Sequence, residues 1–215
     1  MTNSKTVHSR KIRTKTTSFT FHGAAEAIGQ LAHGCEILGF NKGQFFLIDI
    51  VGHILQQIGG GDVDVLTWAI GNENIDKIVN MKCDGRIRGF RLITDYSVQA
   101  LHPEYCRKLR RVFGDQAIRV AKNHSKIILI RNDGWNLVVR SSMNLNANRR
   151  LEYFEISDDS ELMGFMLKFF DEWFETKATG ASFNYPSKFH NDEFKKFGKE
   201  PGEFDFNIKN IDINF

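Results

Sequence analysis

Cysteine is scarce in this chain: Cys35, Cys83 and Cys106 are scattered and odd in number. That argues against a disulfide framework and a Cys-x-x-Cys zinc site, and it fits a reducing, cytoplasmic compartment. Long apolar runs are also missing. None approaches the about 20 residues needed to span a bilayer, and the polar, basic N-terminus lacks the apolar core of a secretory signal. No internal repeat and no low-complexity tract is visible. His, Cys, Asp and Glu do not cluster at metal-ligand spacing, so neither a cofactor nor a metal is expected. Four Tyr and three Trp are few beside nineteen Phe, a balance that speaks for burial of large aromatic area.

What is present suits one α/β domain or two small ones. The chain has 215 residues, enough to bury a sizeable core. With 41% hydrophobic and 26% charged residues, wholesale disorder is excluded. The net charge of +3 is unevenly spread. Residues 1–25 hold five basic residues and no acid, whereas residues 26–100 hold six basic and nine acidic. Residues 101–150 hold eleven basic and three acidic, and residues 151–215 seven basic and fourteen acidic. Basic surface concentrated in one segment is the footprint of a polyanionic partner. The competing reading is a solvated helix face followed by an acidic tail that aids solubility.

Residues 1–18, rich in Ser, Thr, Lys and Arg, read as a basic flexible arm. Residues 19–176 read as an α/β domain. Helices are predicted over 24–31, 45–58, 74–81, 103–113 and 162–176, and strands over 35–40, 63–70, 87–94, 117–130, 135–140 and 151–156. Gly59-Gly60-Gly61 follows a helix pattern, so it stops a helix rather than opening a phosphate loop. Pro103 opens and Gly114 closes a basic amphipathic helix. Asp158-Asp159-Ser160-Glu161 caps the last helix. This alternation predicts a sheet layered by helices. Residues 177–215 carry seven Phe at low periodicity. They read as an extension packed on its own domain or on a second subunit.

Chemistry concentrates around Asn123-His124-Ser125-Lys126. His124 and Lys126 are two apart and would share one face of a strand. A His-x-Lys pair alone carries little weight. The following strand leads into Arg140-Ser141-Ser142-Met143-Asn144, with a hydroxyl and an amide two apart, and Arg149-Arg150-Leu151-Glu152 leads into the next.

In these residues the chain resembles the phospholipase D superfamily. Its signature is His-x-Lys, an Asp five residues on, a Gly/Ser-Ser-x-Asn element and a Glu before another strand. The matching positions are His124, Lys126, Ser142, Asn144 and Glu152, and the likeness covers roughly residues 33–176. It is closest to small single-motif members, including nucleases and phage-like proteins. Two positions depart from the pattern: Arg131 stands where the family has Asp, with Asp133 two residues on, and Ser141 stands for the usual Gly. The resemblance implies a mixed sheet with helices on both faces and a phosphodiesterase that needs no metal. His124 would attack phosphorus and form a phosphohistidine. Lys126 and Asn144 would hold the non-bridging oxygens, while Ser142 and Glu152 would position the site. A second histidine would protonate the leaving oxygen and then activate water. No other histidine is followed by Lys two residues on. A two-histidine site therefore implies a homodimer with two copies of His124 meeting across a two-fold axis.

Register offers an internal check. A two-residue Asp133-Gly134 turn would pair Lys126 with Ser141. A three-residue Asp133-Gly134-Trp135 loop would pair Lys126 with Ser142 and His124 with Asn144, and this second arrangement, or another loop centred on Gly134, is the one expected. Arg107, Lys108, Arg110 and Arg111 on the basic helix, together with Arg140, are candidate nucleic-acid contacts or simply a solvated face. Trp68 is expected in the core, Trp135 at a hairpin tip either packs or stacks on a base, and the cysteines read as buried thiols.

The function expected is a dimeric nuclease, with nucleic acid, most simply DNA, as partner and no membrane span. The alternatives are a PLD-like nucleic-acid-binding module without turnover, and a phospholipase or small-molecule phosphodiesterase.

Overall fold

The computed structural model describes residues 22–147 and 149–176, all within one structural unit. The expected arm at 1–18 and the extension at 177–215 lie outside the described residues. In chain order the elements are α1 (Ala24–Ile28), β1 (Glu36–Asn41), α2 (Leu47–Ile58), β2 (Gly61–Thr67), α3 (Asn72–Cys83) and β3 (Ile87–Asp95). There follow α4 (Tyr96–Leu101), α5 (Pro103–Phe113), a 3-10 turn (Asp115–Ala117), β4 (Ile118–Ala121), β5 (Lys126–Arg131), β6 (Asn136–Ser141), β7 (Glu152–Asp158) and α6 (Ser160–Thr176).

Local chemistry explains the boundaries. The backbone N–H of Phe46 donates to Asp49 Oδ2 at 2.8 Å, which caps α2. Gly59 ends α2 in the left-handed region at φ 75°, where a side chain would strain. Pro103 sits in the first turn of α5, and its ring pre-sets helical φ. Asp159 Oδ1 accepts from the N–H groups of Glu161 and Leu162, both at 3.0 Å, at the start of α6.

The strands form one mixed sheet in the order β1-β7-β6-β5-β2-β3-β4. β2, β3 and β4 run parallel, while β5, β6, β7 and β1 alternate antiparallel outward from β2. Both faces are covered, as the near-continuous apolar runs of β5 and β6 require, since successive residues point to opposite faces. Ile128, Ile130, Leu137 and Val139 pack with Ile50, Ile54, Ile75 and Leu109 from α2, α3 and α5. Leu129 and Val138 point the other way, onto Met163 and Phe170 of α6.

Four sequence expectations are corrected here. Residues 117–130 do not make one strand. β4 is an edge strand and β5 lies beyond β3 and β2, so residues 122–125 leave the sheet and cross its end over about 14 Å, three strand spacings. The β5–β6 hairpin takes the two-residue register: Ile127 pairs with Arg140, and Asn132 and Trp135 close the turn through paired backbone bonds of 3.1 and 3.4 Å. The cause is Asn132, whose Oδ1 accepts from Gly134 and Trp135 N–H while its Nδ2 donates to the Ile58 and Gly60 carbonyls. Trp68 is not core but 41% exposed, because β2 ends at Thr67. Of the cysteines only Cys106 is buried; Cys35 is half-buried and Cys83 exposed. Trp135 packs against the core and stacks on His33 at 4.0 Å, so its face is already occupied.

Candidate active site

The parallel strands β2, β3 and β4 end at the same edge of the sheet at which β5 and β7 begin and β6 ends. The crossing segment passes over that edge. Its course is pegged by Asp95, the last residue of β3. Asp95 Oδ1 accepts from the N–H and hydroxyl of Ser97, and Oδ2 accepts from Asn123 N–H at 3.1 Å. Asn123 Oδ1 in turn accepts from Ser125 N–H at 2.8 Å. Between these two anchored residues His124 is exposed, in an irregular segment rather than on a strand.

Lys126, the first residue of β5, lies opposite Thr67 at the end of β2. Its Nζ donates to the His124 carbonyl at 2.7 Å and lies 3.1 Å from Nδ1 and 3.3 Å from Nε2 of the imidazole. Beneath both is Trp68. Its ring centroid is 5.1 Å from that of His124 and 5.7 Å from Lys126 Nζ. Burial pushes the Lys126 ammonium below the ordinary lysine range, and the Glu152 carboxylate opposes that shift. Glu152 is thus electrostatically coupled to Lys126 even though it begins a different strand.

The serines close the other side. Ser141 Oγ donates to the Tyr153 carbonyl at 2.7 Å and accepts from Met143 N–H at 2.9 Å, which turns the chain out of β6. Ser142 Oγ donates to Glu152 and accepts from Tyr153 N–H. Pairing with β5 has ended there, so strand alternation does not dictate where Ser142 points. Beyond it, residues 143–146 lie along the chain after β2, with Leu145 bridged to Ile70 and Gly71 N–H donating to the Leu145 carbonyl at 2.7 Å. Asn144 stands in this stretch. Its Oδ1 is buried and has no hydrogen-bond partner among the described residues. Rotating that amide by half a turn would present an N–H there, the group an anion needs.

His124 and Lys126 are therefore in direct contact, Ser142 is bound to Glu152, and the Glu152 charge acts on Lys126. The loop bearing Asn144 flanks the same end of β2. Position 131 does different work. Arg131 and Arg91 both hold Asp64, whose side chain is 2% exposed, and Arg91 also reaches Asp171 of α6 at 2.6 Å. Arg131 lies at the far end of β5, about 17 Å from Lys126. Asp133 is exposed in the hairpin turn. Of the other basic residues, Lys108 is paired with Asp76 and Arg140 with Glu155, whereas Arg107, Arg110 and Arg111 line a separate pocket. Sequence reading missed Trp68 and Asp95 as parts of the site. Asp95 was open to detection, since Asp-x-Ser before a helical turn is a capping signal.

Among the described residues no group of three His, Cys, Asp or Glu side chains is placed to hold a metal, and no helix is long and apolar enough to cross a membrane. No family model matches the chain, and no curated protein does. Solved structures do. The chain is similar to polyphosphate kinase from Porphyromonas gingivalis at 14% identity and a TM-score of 0.47, covering 69% of this chain and 27% of that one. It is similar to Nuc, a phospholipase D family member from Salmonella typhimurium, at 13% identity and a TM-score of 0.45, covering 64% of this chain and 91% of that one. NucT from Helicobacter pylori aligns at 15% identity and a TM-score of 0.40, covering 60% of this chain and 89% of that one.

Proposed function

We propose that this chain is a phosphodiesterase of the phospholipase D kind that cleaves nucleic acid, most simply DNA, through a site shared by two copies. The observation that carries this reading is the exposed imidazole of His124 held against the Lys126 ammonium at the open end of the sheet. A phosphodiester repels nucleophiles with its own charge. The site must therefore neutralise that charge and offer a nucleophile that is uncharged near neutral pH, and an ammonium beside an imidazole supplies both.

His124 attacks phosphorus, and the bond to the leaving oxygen breaks as the nitrogen–phosphorus bond forms. His124 of the second copy donates a proton to that oxygen. The resulting neutral imidazole takes a proton from water, whose oxygen displaces His124 from the phosphohistidine and completes hydrolysis. Lys126 and Asn144 hold the non-bridging oxygens. Ser142 and Glu152 keep Lys126 in place and oppose its loss of charge. No step calls for a metal.

Pairing of two copies is supported by the surface around the site. Six large apolar side chains are exposed among the described residues, and five of them, Phe40, Trp68, Leu101, Leu151 and Tyr153, belong to segments at this end of the sheet. A two-fold contact here would cover them while bringing the His124 side chains together.

The test is plasmid cleavage in EDTA. Wild-type protein is expected to cut, and His124→Ala to lose on the order of 10³-fold or more. Equal cutting by both proteins would remove His124 as nucleophile. A second reading, a nucleic-acid-binding module without turnover, is favoured by Arg131, which is committed to Asp64 where the family has an acid. Binding without cleavage by either protein would establish it. Hydrolysis of bis-p-nitrophenyl phosphate without nucleic-acid binding would point to a small substrate instead.

A further inference from the structure

At the other end of β4 the basic helix carries a feature that the His124 site does not use. α5 runs back from the site edge, burying Cys106 and Leu109, turning Arg107 and Arg111 outward and leaving Arg110 half-buried between them. Lys108 leaves this set by pairing with Asp76 on α3. Arg107, Arg110 and Arg111 remain, and with Asp115 they line a cavity of about 460 Å³ beside the 3-10 turn that leads into β4. Among the described residues none of the three forms an ion pair. Nε and one terminal nitrogen of Arg110 are buried without any hydrogen-bond partner. Buried guanidinium donors are normally satisfied, because stripping water from them without replacement is costly. The charge of Arg110 also reaches a buried neighbour. Arg119, buried at 4% exposure on β4, is pushed below the ordinary arginine range by burial and by the like charge of Arg110. One carboxylate, Asp115, faces three guanidinium groups.

We propose that Arg107, Arg110 and Arg111 form a second anion site, remote from His124, that takes a phosphate group either as a free oligophosphate or within a nucleic-acid backbone. Phosphate fits the donor set. A guanidinium fork offers two parallel N–H groups, the geometry that engages two oxygens of a tetrahedral anion. Arg110 holds an unpartnered one that a turn of the side chain would bring to the ligand, and the exposed Arg107 and Arg111 supply charge from neighbouring turns. The site does no chemistry, since it holds no nucleophile and no general acid. It acts as an anchor. It does not depend on catalysis at His124 and stands if that reading fails.

The experiment measures binding of tripolyphosphate and of a labelled single-stranded oligonucleotide to the full chain by calorimetry and anisotropy. Four proteins are compared: wild type, Lys126→Met, the double variant Arg107→Met/Arg111→Met and Arg110→Lys. The double variant changes only exposed side chains and so keeps the fold, which thermal unfolding checks. Arg110→Lys keeps the charge and removes the fork. Tripolyphosphate is expected to bind Lys126→Met with an undiminished high-affinity phase, and to bind the double variant and Arg110→Lys roughly tenfold or more weakly. For a backbone ligand, the oligonucleotide competes with tripolyphosphate, and the slope of log affinity against log salt falls by about 1 per arginine removed. For a free oligophosphate, no competition is seen. Wild-type affinity for tripolyphosphate in both arginine variants, or loss of all binding in Lys126→Met, overturns the proposal.

Discussion

At the residue scale, Lys126 carries the clearest consequence. Its ammonium is disfavoured by burial and supported by Glu152, so it loses its proton at a lower pH than an ordinary lysine. Phosphate binding at the His124 site is expected to weaken as pH rises through that lowered value, because only the charged form attracts an anion. Glu152→Gln removes the supporting charge, so the decline should move to still lower pH. Titrations of binding against pH for the two proteins check this, and an unshifted or upward-shifted midpoint contradicts it. The sign for stability follows from the same shift. The unfolded chain holds this proton more tightly than the folded one, so the contribution of Lys126 to stability increases as pH rises toward the ordinary lysine value. Asp64 matters for packing, as a buried carboxylate held by two guanidinium groups. Asp64→Ala takes the buried carboxylate from between the two, leaving Arg91 with Asp171 and Arg131 with the longer contact to Asp62, and should cost about 3 kcal/mol in chemical denaturation. A loss below 1 kcal/mol would mean the arginines find water instead.

At the element scale, the crossing segment between β4 and β5 matters most, because it turns a strand order into a site. Asp95→Ala removes both the cap of α4 and the peg under Asn123. It should lower stability by about 1 kcal/mol and lower activity well beyond that, whereas Ser97→Ala removes a contact to Asp95 Oδ1 and should affect activity little. Equal activity losses in the two variants would show that the peg is unimportant. This element also marks how far sequence reading reaches. Helix periodicity with Pro103 and Gly114 placed both ends of α5, since its boundaries are written in local chemistry. The short α4 went unseen because it buries one side chain, Val98, and rests on a single cap. Residues 117–130 read as one strand because alternation records burial and is blind to a chain leaving one edge and re-entering three places away. The hairpin register was missed for a similar reason. Asn132 chooses the turn by bonding carbonyls more than seventy residues earlier, which no local pattern encodes. That His124 and Lys126 lie close was legible from their spacing, though not as neighbours on a strand face, whereas the bond between Ser142 and Glu152 was not written in the local pattern.

At the scale of the whole molecule, a shared site has a kinetic signature. When wild-type chains are co-expressed with His124→Ala chains, activity should fall as the square of the wild-type fraction, because only pairs with two histidines work. A linear fall would mean that each chain works alone. The sheet order has a further consequence for how the chain comes together. β1, first in the chain, has one neighbour, and that neighbour is β7, the last strand; β2 waits for β5 along one whole side. During synthesis the first 121 residues therefore emerge with β1 unpaired on both sides and β2 open along one, a template for adhesion between nascent chains. A fragment truncated after Ala121 should accumulate in aggregates, and the ribosome must deliver the chain through Asp158 before every strand has its mate.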